Sequence, residues 1–209
     1  MTYRDFIDRL KENGKLVEVH QPVSPKFEAS RIAKKTKAPV LFHDVSGSKV
    51  IMNLLGSRDE LAAMLEVPKE EIIKKLSEVS PEGEVRLVSD SPTLEVIEDK
   101  VDLTKLPILT HFEKDGAPYI TAGIVVSEYG GVMNASIHRL MLVGKDKLAV
   151  RLVPPRHTYL LHKKKPPKKE KLCLLRLFWA ATLRLFMRPL PGFLLEKSLN
   201  MRLPCVELR

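Results

Sequence analysis

The chain has 209 residues, 44% of them hydrophobic, enough to bury the core of one large domain or two small ones. Two cysteines, Cys173 and Cys205, exclude a disulfide scaffold, and the opening Met1-Thr2-Tyr3-Arg4-Asp5 carries no apolar run of a secretory signal, so the expected compartment is the cytoplasm. The net charge of +9 is not a property of the whole: residues 1–162 hold 23 Lys or Arg against 23 Asp or Glu, whereas residues 163–209 hold 12 against 3. A neutral body joined to a basic tail speaks against nucleic acid as the partner of the body.

In chain order, Thr2-Tyr3-Arg4-Asp5 resembles a capping box, and Phe6, Leu10 and the closing Gly14 predict a helix of about three turns. Leu16 to His20 alternates as a strand, and Pro22 to Pro25 forms a loop. Residues 27–37 predict a helix that turns basic at its end. Val40-Leu41-Phe42 and Val50-Ile51-Met52 predict buried strands about a turn at Gly47. Ser57-Arg58-Asp59-Glu60 is a capping box before the stripe Leu61, Met64, Leu65, and Pro68 opens a further helix through Ile72, Ile73 and Leu76. Beyond residue 100 the texture changes. Tyr119–Tyr129, Val132–Val143 and Leu148–Val153 predict three antiparallel strands joined by Gly130-Gly131 and by Gly144 to Lys147. Three strands cannot close a barrel, so partner strands are expected elsewhere.

Chemistry-bearing residues gather on these last strands. Alternation puts Asn134, Ser136 and His138 on one face of the second strand and Ala135, Ile137 and Arg139 on the other, so the polar set suggests a lined pocket. Arg139, Arg151 and Arg156 offer paired donors to a phosphate or carboxylate, and Asn134 and His157 offer neutral ligands to a divalent metal. On pattern alone, the same residues also fit a solvated hairpin surface.

Several motifs resemble one family. Phe6-Ile7-Asp8-Arg9-Leu10 followed by Gly14-Lys15-Leu16 and Pro22-Val23, then Asn53-Leu54-Leu55-Gly56-Ser57-Arg58, Leu106-Pro107-Ile108-Leu109, Asp115 to Thr121 and Asn134 to Arg139 are similar to the UbiD-type decarboxylases over residues 1–162. The resemblance implies prenylated FMN, a divalent metal, usually Mn(II), and often K+. The flavin would take up a small unsaturated acid and release CO2. Asn134 and His157 would be metal ligands. Asn134, Ser136, Ile137, His138, Arg139, Arg151, Leu152, Val153, Arg156 and His157 would contact the cofactor, with Arg139 catalytic at the substrate carboxylate. A flavin prenyltransferase would supply the cofactor, the full-length family forms oligomers, and neither nucleic acid nor membrane is an expected partner.

The resemblance further implies an α+β fold: an N-terminal α/β domain over 1–100, an incomplete split β-barrel of the flavin-binding kind over 101–162, and a basic apolar tail over 163–209. Ser136 to Met141 followed by Leu148 to His157 most resembles an archaeal branch that decarboxylates a phosphorylated acid, trans-anhydromevalonate 5-phosphate, to isopentenyl phosphate. A 4-hydroxybenzoate-type acid of quinone biosynthesis is the second substrate class, and a non-catalytic flavin-binding fragment is the alternative of another class. After about Lys171 the resemblance stops. The tail is expected to be the product of a frameshift near Lys171–Cys173, which would leave the chain inactive. Failing that, Leu172 to Leu190 fits a basic amphipathic helix on a membrane surface.

Overall fold

The computed structural model describes residues 3–78, 100–129, 132–163 and 176–179, which belong to two compact units. The first holds residues 3–78 and 106–118, the second 100–105 and 119–179.

In the first unit α1 (Tyr3–Glu12) buries Phe6 and Leu10, one turn apart, and ends at Gly14, whose φ of 64° is the left-handed region that glycine enters without strain. Thr2, the proposed cap, lies outside the described residues. β1 (Val17–Val19) leads through α2 (Glu28–Thr36) to β2 (Val40–Val45), which pairs parallel with β1. A parallel return requires a crossover, and α2 supplies it. β3 (Ser48–Met52) turns back antiparallel at Gly47, giving a three-stranded sheet in the order β1-β2-β3. Val40, Phe42 and Val45 are fully buried with Ala29 of α2, Val23 and Leu109. The opposite face of the strand pair carries Glu18, Leu41 and His43.

The motif Asn53 to Arg58 is structural. Asn53 adopts a φ of 57°, and its Nδ2 donates to the carbonyl oxygens of Ala33 (2.7 Å) and Ala38 (3.3 Å), satisfying groups at the end of α2. Ser57 caps α3 (Arg58–Leu65) by accepting from the Asp59 amide at 3.1 Å, and its hydroxyl donates to Glu60. The next helix begins as a 3-10 turn, Lys69–Glu71, and continues as α4 (Ile72–Ser77). Only Ile72 of its expected stripe is buried. Ile73 is 70% exposed, because a helix this short turns one apolar residue inward and the next one out.

The second unit is built on the hairpin of β4 (Tyr119–Tyr129) and β5 (Val132–Leu142), extended by β6 (Leu148–Val150). The Gly130-Gly131 turn lies outside the described residues. β6 is shorter than predicted, since Arg151, Leu152 and Val153 leave the sheet ahead of Pro154. A fourth strand, β7 (Arg176–Trp179), pairs antiparallel with β4, giving the open order β6-β5-β4-β7. The expected partner strand is therefore in the tail. The amphipathic-helix alternative for Leu172 to Leu190 fails at least over 176–179, where the backbone is extended and paired. α5 (His157–Lys163), which sequence reading did not foresee, packs on β4 and β5 and buries Thr158 and Leu161. Gly123 to Ser127 of β4 are all buried, so this central strand is covered on both faces. The protein is α+β, and its sheets are small and open.

Candidate functional site

The site residues all lie in the second unit, on β5, on the loop after β6 and at the start of α5. Pairing sets their faces. Ser127 stands opposite Asn134, Val125 opposite Ser136 and Gly123 opposite His138, so these share one face of the hairpin, while Ile124 and Ile137 share the other.

On the first face the structure joins Asn134, Ser136 and His138 through a residue the sequence did not single out, Thr158 of α5. Asn134 Nδ2 donates to Ser136 Oγ (3.2 Å) and to Thr158 Oγ1 (3.0 Å). His138 Nε2 lies 2.8 Å from Ser136 Oγ and 3.2 Å from Thr158 Oγ1, and the two hydroxyls are 2.9 Å apart. Thr158 is 4% exposed and the others are half-buried, so the polar face is closed by a helix. The network engages the amide nitrogen of Asn134 and leaves Oδ1, the atom a cation would take, outside it. Burial lowers the pKa of His138, and the Arg156 guanidinium nearby lowers it further. Both effects favour the neutral imidazole. Beside Asn134, the fully buried Ser127 hydroxyl has no hydrogen-bond partner among the described residues. Such a group costs about 1–3 kcal/mol.

The second face holds Ile137, 56% exposed, and Arg139, whose guanidinium carbon is 5.9 Å from the centre of the Tyr119 ring. Arg151 and Val153 are exposed on the loop after β6, with Leu152 half-buried between them. Arg156 and His157 are exposed at the start of α5. The structure thus brings Asn134, Ser136, His138 and Arg156 together and sets Ile137 and Arg139 on the opposite face of β5. Among the described residues no carboxylate pairs with Arg139, Arg151 or Arg156. On the first face, the free Oδ1 of Asn134 and the Arg156 guanidinium near His138 fit a phosphorylated group held with a cation, whereas Arg139 lies on the opposite face and Arg151 on the exposed loop.

Family comparison decides the affiliation. The 3-octaprenyl-4-hydroxybenzoate carboxy-lyase N-terminal domain matches residues 7–80, and the Rift-related domain of the same carboxy-lyase matches residues 86–174. The chain belongs to the UbiD family. An anhydromevalonate phosphate decarboxylase of Methanosarcina mazei is 88% identical over 172 residues, which are 82% of this chain and 41% of that protein. The UbiD-class enzyme HmfF from Pelotomaculum thermopropionicum, in complex with FMN, superposes with a TM-score of 0.72 at 35% identity, over 78% of this chain and 39% of that one. An evolved dimeric form of HmfF, in complex with prFMN, superposes with a TM-score of 0.70 at 35% identity, covering 78% of this chain and 40% of its own. The chain therefore spans about two fifths of the length of these relatives. Among the described residues no helix is long and apolar enough to cross a membrane.

Proposed function

We propose that this UbiD-family protein serves the non-oxidative decarboxylation of trans-anhydromevalonate 5-phosphate to isopentenyl phosphate, with prenylated FMN as cofactor. The observation that carries the substrate is the 88% identity to an anhydromevalonate phosphate decarboxylase. The family description favours a second reading, a 4-hydroxybenzoate-type acid.

In the first reading Asn134 and His157 hold Mn(II), and K+ accompanies it. Ser136, Ile137, His138, Arg139, Arg151, Leu152, Val153 and Arg156 contact the cofactor, and Arg139 meets the substrate carboxylate. When bound, the prenylated flavin supplies the electron sink for the pair left behind as CO2 departs. The chain's own part is charge and position. The guanidinium groups and the cation offset the flavin phosphate. Neutral His138, bonded to Ser136 and Thr158, adds no further positive charge beside Arg156. A flavin prenyltransferase supplies the cofactor, the working protein is an oligomer, and its location is the cytoplasm.

The test is direct. The purified chain is titrated with prenylated FMN, with and without Mn(II), and followed by flavin absorbance. Saturable, Mn(II)-dependent binding is expected, weakened more than about tenfold by Asn134→Ala and also weakened by Arg151→Ala. Absence of binding, or unchanged binding by both variants, refutes the assignment. CO2 release from the two acid classes, assayed with a protein of the relatives' full length, separates the substrate readings.

A further inference from the structure

The first unit carries a constellation that the reading of the second does not use. β1 and β2 run parallel with Glu18 opposite Leu41 and Val19 opposite Phe42, so one step further His20 stands beside His43. Val19, Val40 and Phe42 point into the core, which turns Glu18, His20 and His43 to the opposite face. There His43 Nε2 meets Glu18 Oε2 at 2.8 Å, and the two imidazole rings stack with centroids 4.2 Å apart and planes 16° apart. One ligand atom from each of the three side chains lies within 4.8 Å of the others. Among the described residues this is the single group of three such side chains so placed.

We infer that Glu18, His20 and His43 form a binding site for a borderline divalent cation of the Zn2+ type, bridging the parallel strands β1 and β2. Two imidazole nitrogens and one carboxylate oxygen are the donor set such ions prefer, whereas Mg2+ and Ca2+ require mostly oxygen. Bonds of about 2.0–2.2 Å to a common centre place tetrahedral ligand atoms roughly 3.5 Å apart. The His43–Glu18 contact, at 2.8 Å, is shorter than that value and all three ligand atoms lie within 4.8 Å of one another, so capture needs rotation of the exposed His20 ring and slight opening of the His43–Glu18 contact. Water would complete the shell. The stacked rings direct their nitrogen lone pairs along parallel in-plane lines, so binding requires His20 to rotate out of the stack towards the metal.

A simpler account is an ion pair, and Lys11 supports it. Its Nζ sits 3.0 Å from Glu18 Oε1 and 3.2 Å from Oε2, where it competes with any metal. Lys11 is 60% exposed on α1, so its side chain can swing into solvent when a divalent ion arrives. The two accounts therefore differ in the sign of one substitution. If the site is a metal site, Lys11→Met removes a competitor and tightens binding. If it is only an ion pair, Lys11→Met does nothing to metal affinity.

The experiment titrates the full chain with ZnCl2 by calorimetry and, with CoCl2 as a spectroscopic probe, by visible absorption. Cys173→Ser and Cys205→Ser form the background, so that thiols do not contribute. With Asn134→Ala added to the background to silence the metal ligands assigned to the second unit, one-to-one binding is expected. It should weaken more than about tenfold in His20→Gln and in His43→Ala, and strengthen in Lys11→Met. Because His20 is exposed, His20→Gln leaves folding undisturbed and keeps the result interpretable where His43→Ala fails to fold. The proposal is overturned if the background protein does not bind Zn2+, or if His20→Gln binds it unchanged. It is also overturned if Lys11→Met leaves the affinity unaltered. None of these outcomes bears on the flavin-site assignment, whose residues lie in the other unit.

Discussion

Two buried hydroxyls in the second unit should respond to removal with opposite signs. Thr158 Oγ1 lies within 2.9–3.2 Å of Asn134, Ser136 and His138, whereas Ser127 Oγ is buried with no partner among the described residues. Thr158→Val keeps the volume and deletes two to three hydrogen bonds at once. The count depends on whether neutral His138 carries its proton on Nε2, since the two hydroxyls supply only one proton each. At about 1 kcal/mol per bond the loss is about 2–3 kcal/mol, with no cavity term. Ser127→Ala removes a hydroxyl that folding has desolvated without compensation, so its effect should run from neutral to about 1 kcal/mol stabilising. Urea unfolding measures both, and hydrogen exchange of β5 amides locates the change in this unit. With a slope of about 1–3 kcal/mol per molar, Thr158→Val lowers the midpoint by about 0.7–3 M. A Thr158→Val midpoint within error of the parent would mean that the network does not form. A loss beyond about 1 kcal/mol in Ser127→Ala would mean that its hydroxyl is paired, and would remove one of the arguments for a missing ligand beside Asn134.

Three further outcomes follow from named contacts. Because the folded-state pKa of His138 is lowered, its contribution to stability is complete above the ordinary value of about 6.5 and is lost as pH falls towards the folded value, so His138→Gln should flatten the acid limb of a stability–pH profile. Asn53→Ala removes two hydrogen bonds to carbonyls at the end of α2 and leaves a non-glycine residue at a φ of 57°, at a cost of about 2–3 kcal/mol by chemical denaturation, whereas Asn53→Gly keeps the backbone and loses less. Phe42→Ala opens the core of the first unit and should cost about 3–5 kcal/mol by the same assay.

What could be read from sequence was what periodicity writes. The long strands β4 and β5 announced themselves by β-branched runs about a Gly-Gly pair, and alternation assigned Asn134, Ser136 and His138 to one face and Ile137 and Arg139 to the other. Ser57 and Gly14 marked helix ends by their own chemistry. Tertiary closure was not legible. The polar face of β5 was read as lining a pocket, but α5 covers it, and Thr158 completes its hydrogen bonds. α5 escaped notice because it is one short stretch of seven residues behind Pro154-Pro155, with no recognisable cap. The meeting of His20 with His43 depends on a parallel crossover through α2, and nothing local in either strand signals that pairing. Ser127 reads as an ordinary strand residue. Only its burial and lack of a partner make it informative.

Exposed arginines alone do not demand an anion, since water solvates a guanidinium adequately. Between Tyr119 and His162 there are five Lys or Arg against two Asp or Glu, and such an excess is common on surfaces. The stronger sign is local: Arg156 is near enough to half-buried His138 to lower its pKa on top of the effect of burial. That coupling makes His138 a reporter for whatever occupies the loop before α5. An anion seated at Arg156 must offset its charge and return the His138 pKa part of the way upward, though not to the ordinary value, because burial, the larger cause, remains. Arg156→Gln should produce a rise of the same sign with no ligand present. Imidazole NMR titration of the parent protein, alone and with FMN or inorganic phosphate, measures the shift. FMN should raise the His138 pKa in the parent and not in Arg156→Gln. If Arg156→Gln raises it but FMN leaves the parent unmoved, the guanidinium faces solvent and holds no phosphate, and the phosphorylated cofactor must be sought elsewhere on the chain.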